Sequence, residues 1–136
     1  GPLSRMTRTP LIVAAALLVI GGGVAEAASL RPTASSRPPS PGRLLVTARE
    51  FTLVLSRPSL RTGRAIVELV NLGEDEHDLV LRRIGRGTTT RRIRTVAPGG
   101  VDELETRLLP GRYALWCTLA DHRSRGMRAT LVVVRR

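Results

Sequence analysis

From about residue 43 onward, apolar and polar positions alternate in short runs, each closed by turn-forming residues. Between Leu44 and Leu55 the alternation sets Phe51, Leu53 and Leu55 on one face, and Arg57-Pro58-Ser59 then breaks the run. Arg61-Thr62-Gly63-Arg64 reads as a turn, and Ala65 to Val70 as a strand carrying β-branched Ile66 and Val67. Asn71-Leu72-Gly73 ends that strand and opens an acidic loop, Glu74-Asp75-Glu76. Leu79 to Leu81 is strand-like, Gly85-Arg86-Gly87 is a turn, and Thr88 to Val96 is a Thr- and Arg-rich strand candidate. Pro98-Gly99-Gly100 turns the chain before Val101 to Leu108, and Pro110-Gly111 turns it again before Arg112 to Cys117. The last strand candidate is Arg128 to Val134. About seven or eight short strands, with no convincing helical period, predict an all-β sandwich.

The first 42 residues do not share this pattern. Arg5 and Arg8 precede an unbroken apolar run from Leu11 to Ile20, and Ala25-Glu26-Ala27 fits a small-residue cleavage site. Residues 6–27 therefore read as a signal peptide, with Ala28 as the mature N-terminus. The run is short for a membrane span of about 20 residues, although weak apolar character to Ala28 leaves an uncleaved signal anchor over 11–28 as the alternative. Residues 1–5 read as a tag scar or upstream extension. Residues 28–42, rich in Pro, Ser and Arg, read as an extended linker, so the folded domain is expected over 43–136. The chain is thus expected to be exported, to the periplasm or another extracytoplasmic space, with membrane association only if the leader stays attached.

Charge narrows the partners. The formal net charge is +11, and all 22 basic residues are arginine. Such a surface suits acidic partners or anionic lipid. Nucleic acid is not expected: only Phe51, Tyr113 and Trp116 are aromatic, the arginines are scattered, and no nucleic-acid motif is present.

Four residues carry candidate chemistry. Cys117, His122 and Met127 stand at five-residue intervals in Cys117-Thr-Leu-Ala-Asp-His122-Arg-Ser-Arg-Gly-Met127, and His77 lies upstream after the acidic loop. Outside the leader these are the sole cysteine, the sole methionine and both histidines of the chain. One thiolate, two imidazoles and a weak axial thioether form the donor set of a blue-copper centre. Each residue alone has a plainer reading: an inert buried cysteine, hydrogen-bonded histidines, a gap-filling methionine. A lone thiol in an exported protein cannot form an internal disulfide, and metal ligation gives it a role.

With strands and spacing in place, residues 44–134 resemble the cupredoxin family, the small blue-copper proteins. The resemblance is carried by Pro110-Gly-Arg-Tyr-Ala-Leu-Trp-Cys117, the loop to His122, Gly126-Met127 and the final Thr130-Leu-Val-Val strand, with Asn71 to His77 matching the first-histidine motif. The gaps of four residues on either side of His122 look like the rusticyanin and sulfocyanin branch. Ala120-Asp121 replaces a frequent Pro-Gly, Asp78 a frequent Asn, and Ala129 a frequent Gly. The resemblance implies a Greek-key β-sandwich holding one copper ion, Cu(I)/Cu(II), through His77, Cys117, His122 and Met127.

It also implies that the residue after the first histidine lies near the residue after the cysteine, here Asp78 and Thr118, joined by a hydrogen bond. An ionised Asp78 would favour Cu(II) and lower the reduction potential. Alternation points Tyr113, Leu115 and Cys117 inward and Ala114 and Trp116 outward. Trp116 is a candidate electron-exit or docking residue, or else a shielding tryptophan under a loop. Arg123 and Arg125, with Arg128, would give the ligand loop a cationic rim suited to an acidic redox partner such as a cytochrome or a membrane oxidase or reductase. The expected role is one-electron transfer rather than an enzymatic reaction. Copper carriage or buffering with the same ligands is the alternative. A binuclear copper centre would need a second cysteine, and a multicopper oxidase many more histidines.

Overall fold

Strand formation begins at Gly42, where the Pro/Ser-rich composition gives way to alternating leucine and valine. The computed structural model describes residues 21–23, 37–85 and 89–135, and the chain divides into a unit of residues 1–36 and a folded unit of 37–136. The expectations for 1–5 and 6–27, and for most of the linker, lie outside the described residues. Among the described residues no helix is long and apolar enough to cross a membrane.

Nine strands build the folded unit: β1 (Gly42–Arg49), β2 (Thr52–Leu55), β3 (Ser59–Arg61), β4 (Gly63–Asn71), β5 (His77–Arg83), β6 (Thr90–Val96), β7 (Val101–Leu108), β8 (Gly111–Trp116) and β9 (Arg128–Val134). One sheet runs β2-β1-β4-β7 and the other β3-β9-β8-β5-β6. β1 pairs parallel with β4 and β3 parallel with β9, while the other pairings are antiparallel. Alternation sets the core: Leu44, Val46 and Ala48 of β1, and Ala65, Val67 and Leu69 of β4, face Tyr113 and Leu115 of β8 and Leu131 and Val133 of β9 across the sandwich.

Two readings of the sequence need correcting. The run from Leu44 to Leu55 is not one strand but a hairpin, β1 and β2, turning at Glu50-Phe51. The inward positions change parity there, from Leu44, Val46 and Ala48 to Leu53, and a single strand cannot change face without a turn or bulge. The break after Leu55 is followed by a three-residue strand, β3, which is held by pairing with β9 and is too short to have a period of its own.

β5 departs from simple alternation, since all five residues from His77 to Leu81 are buried. His77, Leu79 and Leu81 face the core. Asp78 and Val80 lie on the other side, where Trp116 and Arg92 stand opposite Val80 on the flanking strands. The β5–β6 register shifts between His77 and Leu79, so that two steps on β5 match three on β6. Bulges of this kind re-aim side chains at strand ends, and this one lies beside His77.

Candidate metal centre

Cys117 is delivered by strand periodicity. Tyr113, Leu115 and Cys117 are buried, whereas Ala114 and Trp116 are half-buried, so the thiol enters the sandwich at the point where β8 ends. The chain then loops back to β9 through residues 117–127. The loop is pinned by its own backbone: Cys117 N–H donates to Met127 O (3.1 Å), Met127 N–H to His122 O (3.0 Å) and His122 N–H to Leu119 O (3.1 Å). Ser124 Oγ donates to Asp121 O at 2.7 Å. Ala120, first residue of the Ala120-Asp121 pair, takes a left-handed conformation (φ 40°) that disfavours a side chain. Gly126 has φ 124°, and a Cβ there would lie 2.9 Å from the Phe51 carbonyl oxygen. The glycine lets the β1–β2 turn reach this loop.

His77 arrives from the other direction. Asn71, fully buried, holds the approach: its Nδ2 donates to Asp75 O (2.8 Å) and Val96 O (2.9 Å), and its Oδ1 accepts from Gly73 N–H (2.8 Å). The three-sided clamp fixes residues 71–75 and so the start of β5.

The two segments bring three donor atoms together. His77 Nδ1 lies 3.3 Å from His122 Nδ1, and Cys117 Sγ lies 3.6 Å from His122 Nδ1. All three atoms fall within 4.8 Å of one another, and all three residues are buried. Metal–nitrogen and metal–sulfur bonds of about 2.0–2.3 Å place donors around one ion roughly 3.5–4 Å apart, close to these separations. The group therefore fits a single metal ion, and two imidazoles with one thiolate suit copper. Met127 is wholly buried, and its backbone is hydrogen-bonded to both Cys117 and His122. His122, at 7% exposure, is the donor nearest to solvent.

Asp78 and Thr118 lie together. The Asp78 carboxylate accepts Thr118 N–H on Oδ1 (2.6 Å), and Thr118 Oγ1–H (2.5 Å) and Arg92 Nη2 (2.6 Å) on Oδ2. Asp78 is 1% exposed, so it is not a solvated member of the acidic loop. Burial raises its pKa, but the Thr118 hydroxyl and N–H and the Arg92 guanidinium outweigh that and hold the carboxyl below its ordinary value. Arg92, at 2.6 Å, pairs with this carboxylate, so the Asp78 charge beside the site is partly compensated. Burial pushes the Cys117 thiol up, against the backbone N–H groups of Asp78 and Leu119 and with a smaller push from the Asp78 carboxylate; a coordinated metal reverses this by deprotonating the thiol outright.

Sequence reasoning missed the β1–β2 turn. Glu50 Oε1 accepts from the N–H groups of Glu74 (2.9 Å) and Asp75 (2.8 Å) and lies 2.9 Å from His77 Nε2. The Asp75 N–H, opposed by partial burial and reinforced by the N–H groups of Glu50 itself and Glu74 and by His77, lowers its pKa to about 2. Phe51 packs edge-on against the His122 ring, with centroids 5.1 Å apart. The parity change at Glu50-Phe51 would have revealed the turn, but no pattern marks either residue as a neighbour of the histidines.

At the rim, Trp116 faces outward beneath two guanidinium groups, with Arg123 at 4.3 Å and Arg82 at 5.3 Å from the ring centroid. Arg125 stacks on Phe51 at 3.5 Å. Arg123, Arg125 and Arg128 are exposed. The rim is not uniformly cationic, however, because Asp75 Oδ2 stands 3.9 Å from His122 Nε2, at the edge of the acidic loop.

No protein-family model matches the chain, and no curated protein sequence matches it. Among solved structures it is similar to a reduced auracyanin from the photosynthetic bacterium Roseiflexus castenholzii (TM-score 0.57, 17% identity, 71% of this chain and 99% of that one). It is also similar to auracyanin A, a "blue" copper protein from Chloroflexus aurantiacus (TM-score 0.56, 12% identity, 70% and 100%). A multicopper oxidase shares the fold over 72% of this chain but 46% of its own (TM-score 0.54, 14% identity). Two sheets of these strands, with a His-Cys-His group where β8 meets its loop, give the folded part of the chain a cupredoxin-like β-sandwich.

Proposed function

We propose that the protein is an exported blue-copper carrier that moves single electrons between redox partners. One observation carries this reading: two imidazole nitrogens and one thiol sulfur, from segments 40 residues apart, converge in a buried cluster of single-ion dimensions. Copper bound there would supply a one-electron couple, Cu(I)/Cu(II). His77, His122 and Cys117 would hold it, with Met127 supplying the weak fourth contact. The bulge at His77, the Asn71 clamp and the hydrogen-bonded loop 117–127 fix these donors before metal arrives, which keeps rearrangement between oxidation states small. Burial of the three donors also leaves little room for a substrate, which favours a carrier over an enzyme.

The exposed arginines favour an acidic partner. Arg123 and Arg125 lie on the loop that carries His122, whose ring is nearest the surface. An acidic redox protein would be drawn to that side and repelled by the loop 74–76, so that one docking orientation is favoured. The leader read in residues 6–27 supports an exchange outside the cytoplasm.

Rapid mixing of the Cu(I) protein with a small acidic cytochrome in its oxidised state tests the reading. The expected result is fast oxidation with copper retained, at a rate that falls as salt rises. Copper leaving for a chelator during turnover would favour copper carriage instead, and a salt-independent rate would remove the acidic partner.

A further inference from the structure

Glu50 lies outside both ligand-bearing segments, yet its carboxylate touches one of the metal-facing histidines and the loop that leads to it. Its Oε1 accepts the N–H groups of Glu74 and Asp75 and stands 2.9 Å from His77 Nε2, three contacts at 2.8–2.9 Å on one oxygen. His77 is completely buried and the Glu50 side chain is 26% exposed, so the contact spans the boundary of the sandwich. Gly73 makes the approach possible, because a Cβ on it would fall within 3 Å of the Glu50 carboxylate.

The chemistry of this contact is directional. An ionised carboxylate only accepts hydrogen bonds, so the His77 nitrogen facing it must carry the proton. A neutral imidazole has one N–H, and Nδ1 is therefore left as a bare lone pair. That lone pair faces His122 Nδ1, 3.3 Å away, which in turn lies 3.6 Å from Cys117 Sγ. The neighbouring Phe51 packs on His122, so one turn braces both rings.

We propose that Glu50 is a positioning residue of the metal centre: its carboxylate holds His77 as the Nε2–H tautomer, aims Nδ1 at the donor cluster, and ties residues 73–75 to the β1–β2 turn. The inference about tautomer and ring position concerns the protein itself; the consequence for copper rests on the function proposed above.

The test uses nitrogen-15 NMR of the histidine rings in the metal-free protein at alkaline pH, followed by copper loading and a chelator challenge. Wild type is expected to show His77 solely as the Nε2–H tautomer. Glu50→Ala is expected to mix the tautomers and to release copper about 10–100-fold faster, the loss typical of removing a partner that orients a ligand. Glu50→Gln keeps an acceptor oxygen and is expected to retain the tautomer. Gly73→Ala, which displaces the carboxylate without removing its charge, is expected to resemble Glu50→Ala and serves if that variant fails to fold. An Nδ1–H tautomer in wild type, or an unchanged tautomer in both Glu50→Ala and Gly73→Ala, would overturn the proposal. If the tautomer behaves as expected but no variant binds copper, the copper reading fails and the positioning role stands.

Discussion

Asp78 and Arg92 meet at 2.6 Å beside the thiolate-bearing strand, and this pair decides how charge acts on the centre. Neither side chain can be changed without leaving the other's charge near the metal. In a copper-loaded protein, Asp78→Asn is expected to raise the reduction potential and Arg92→Gln to lower it, each by about 50 mV, roughly a tenfold change in the one-electron equilibrium. The double variant should return most of the way to wild type. Voltammetry checks this, and an unchanged potential in Arg92→Gln would show that Arg92 screens nothing. At this scale the ligands were legible because they belong to rare residue types: one cysteine, two histidines and one methionine beyond the leader. Glu50 was not legible. It is one of 11 acids, and its partner stands 27 residues away. Arg92 was hidden among 22 arginines for the same reason.

Among the elements, β7 and β9 have the bounds read from the sequence, β7 because Pro98-Gly99-Gly100 and Pro110-Gly111 close it at both ends, and the period of β8 turns Cys117, the residue after its end, to the inside. The failures came where tertiary pairing overrides local pattern, in the hairpin at Glu50-Phe51 and in the short β3. The hairpin matters most, because it packs on the ligand loop through a contact that tolerates no side chain at Gly126. Gly126→Ala should cost about 1–3 kcal/mol, from a strained left-handed residue and a clash with the Phe51 carbonyl. Denaturant titration of the metal-free protein measures it; a loss below about 0.5 kcal/mol would mean that the turn and the loop separate easily.

For the molecule as a whole, an all-β sandwich could be read from turn residues and short alternating runs, because each sheet keeps one face on the core. The sheet order and the parallel β1–β4 and β3–β9 pairs could not, since they join segments that no local pattern links. That order places the β5 and β8 ends side by side, so His77 and Cys117 become neighbours while loop 117–127 folds His122 and Met127 back over them. The central claim is that these residues form one blue-copper centre. It is tested most directly by loading the protein with Cu(II) and recording its visible absorption and electron paramagnetic resonance beside Cys117→Ser. An intense thiolate-to-copper band with narrow hyperfine splitting, absent from the variant, is the result predicted. Weak tetragonal copper spectra that are the same in both proteins would contradict it.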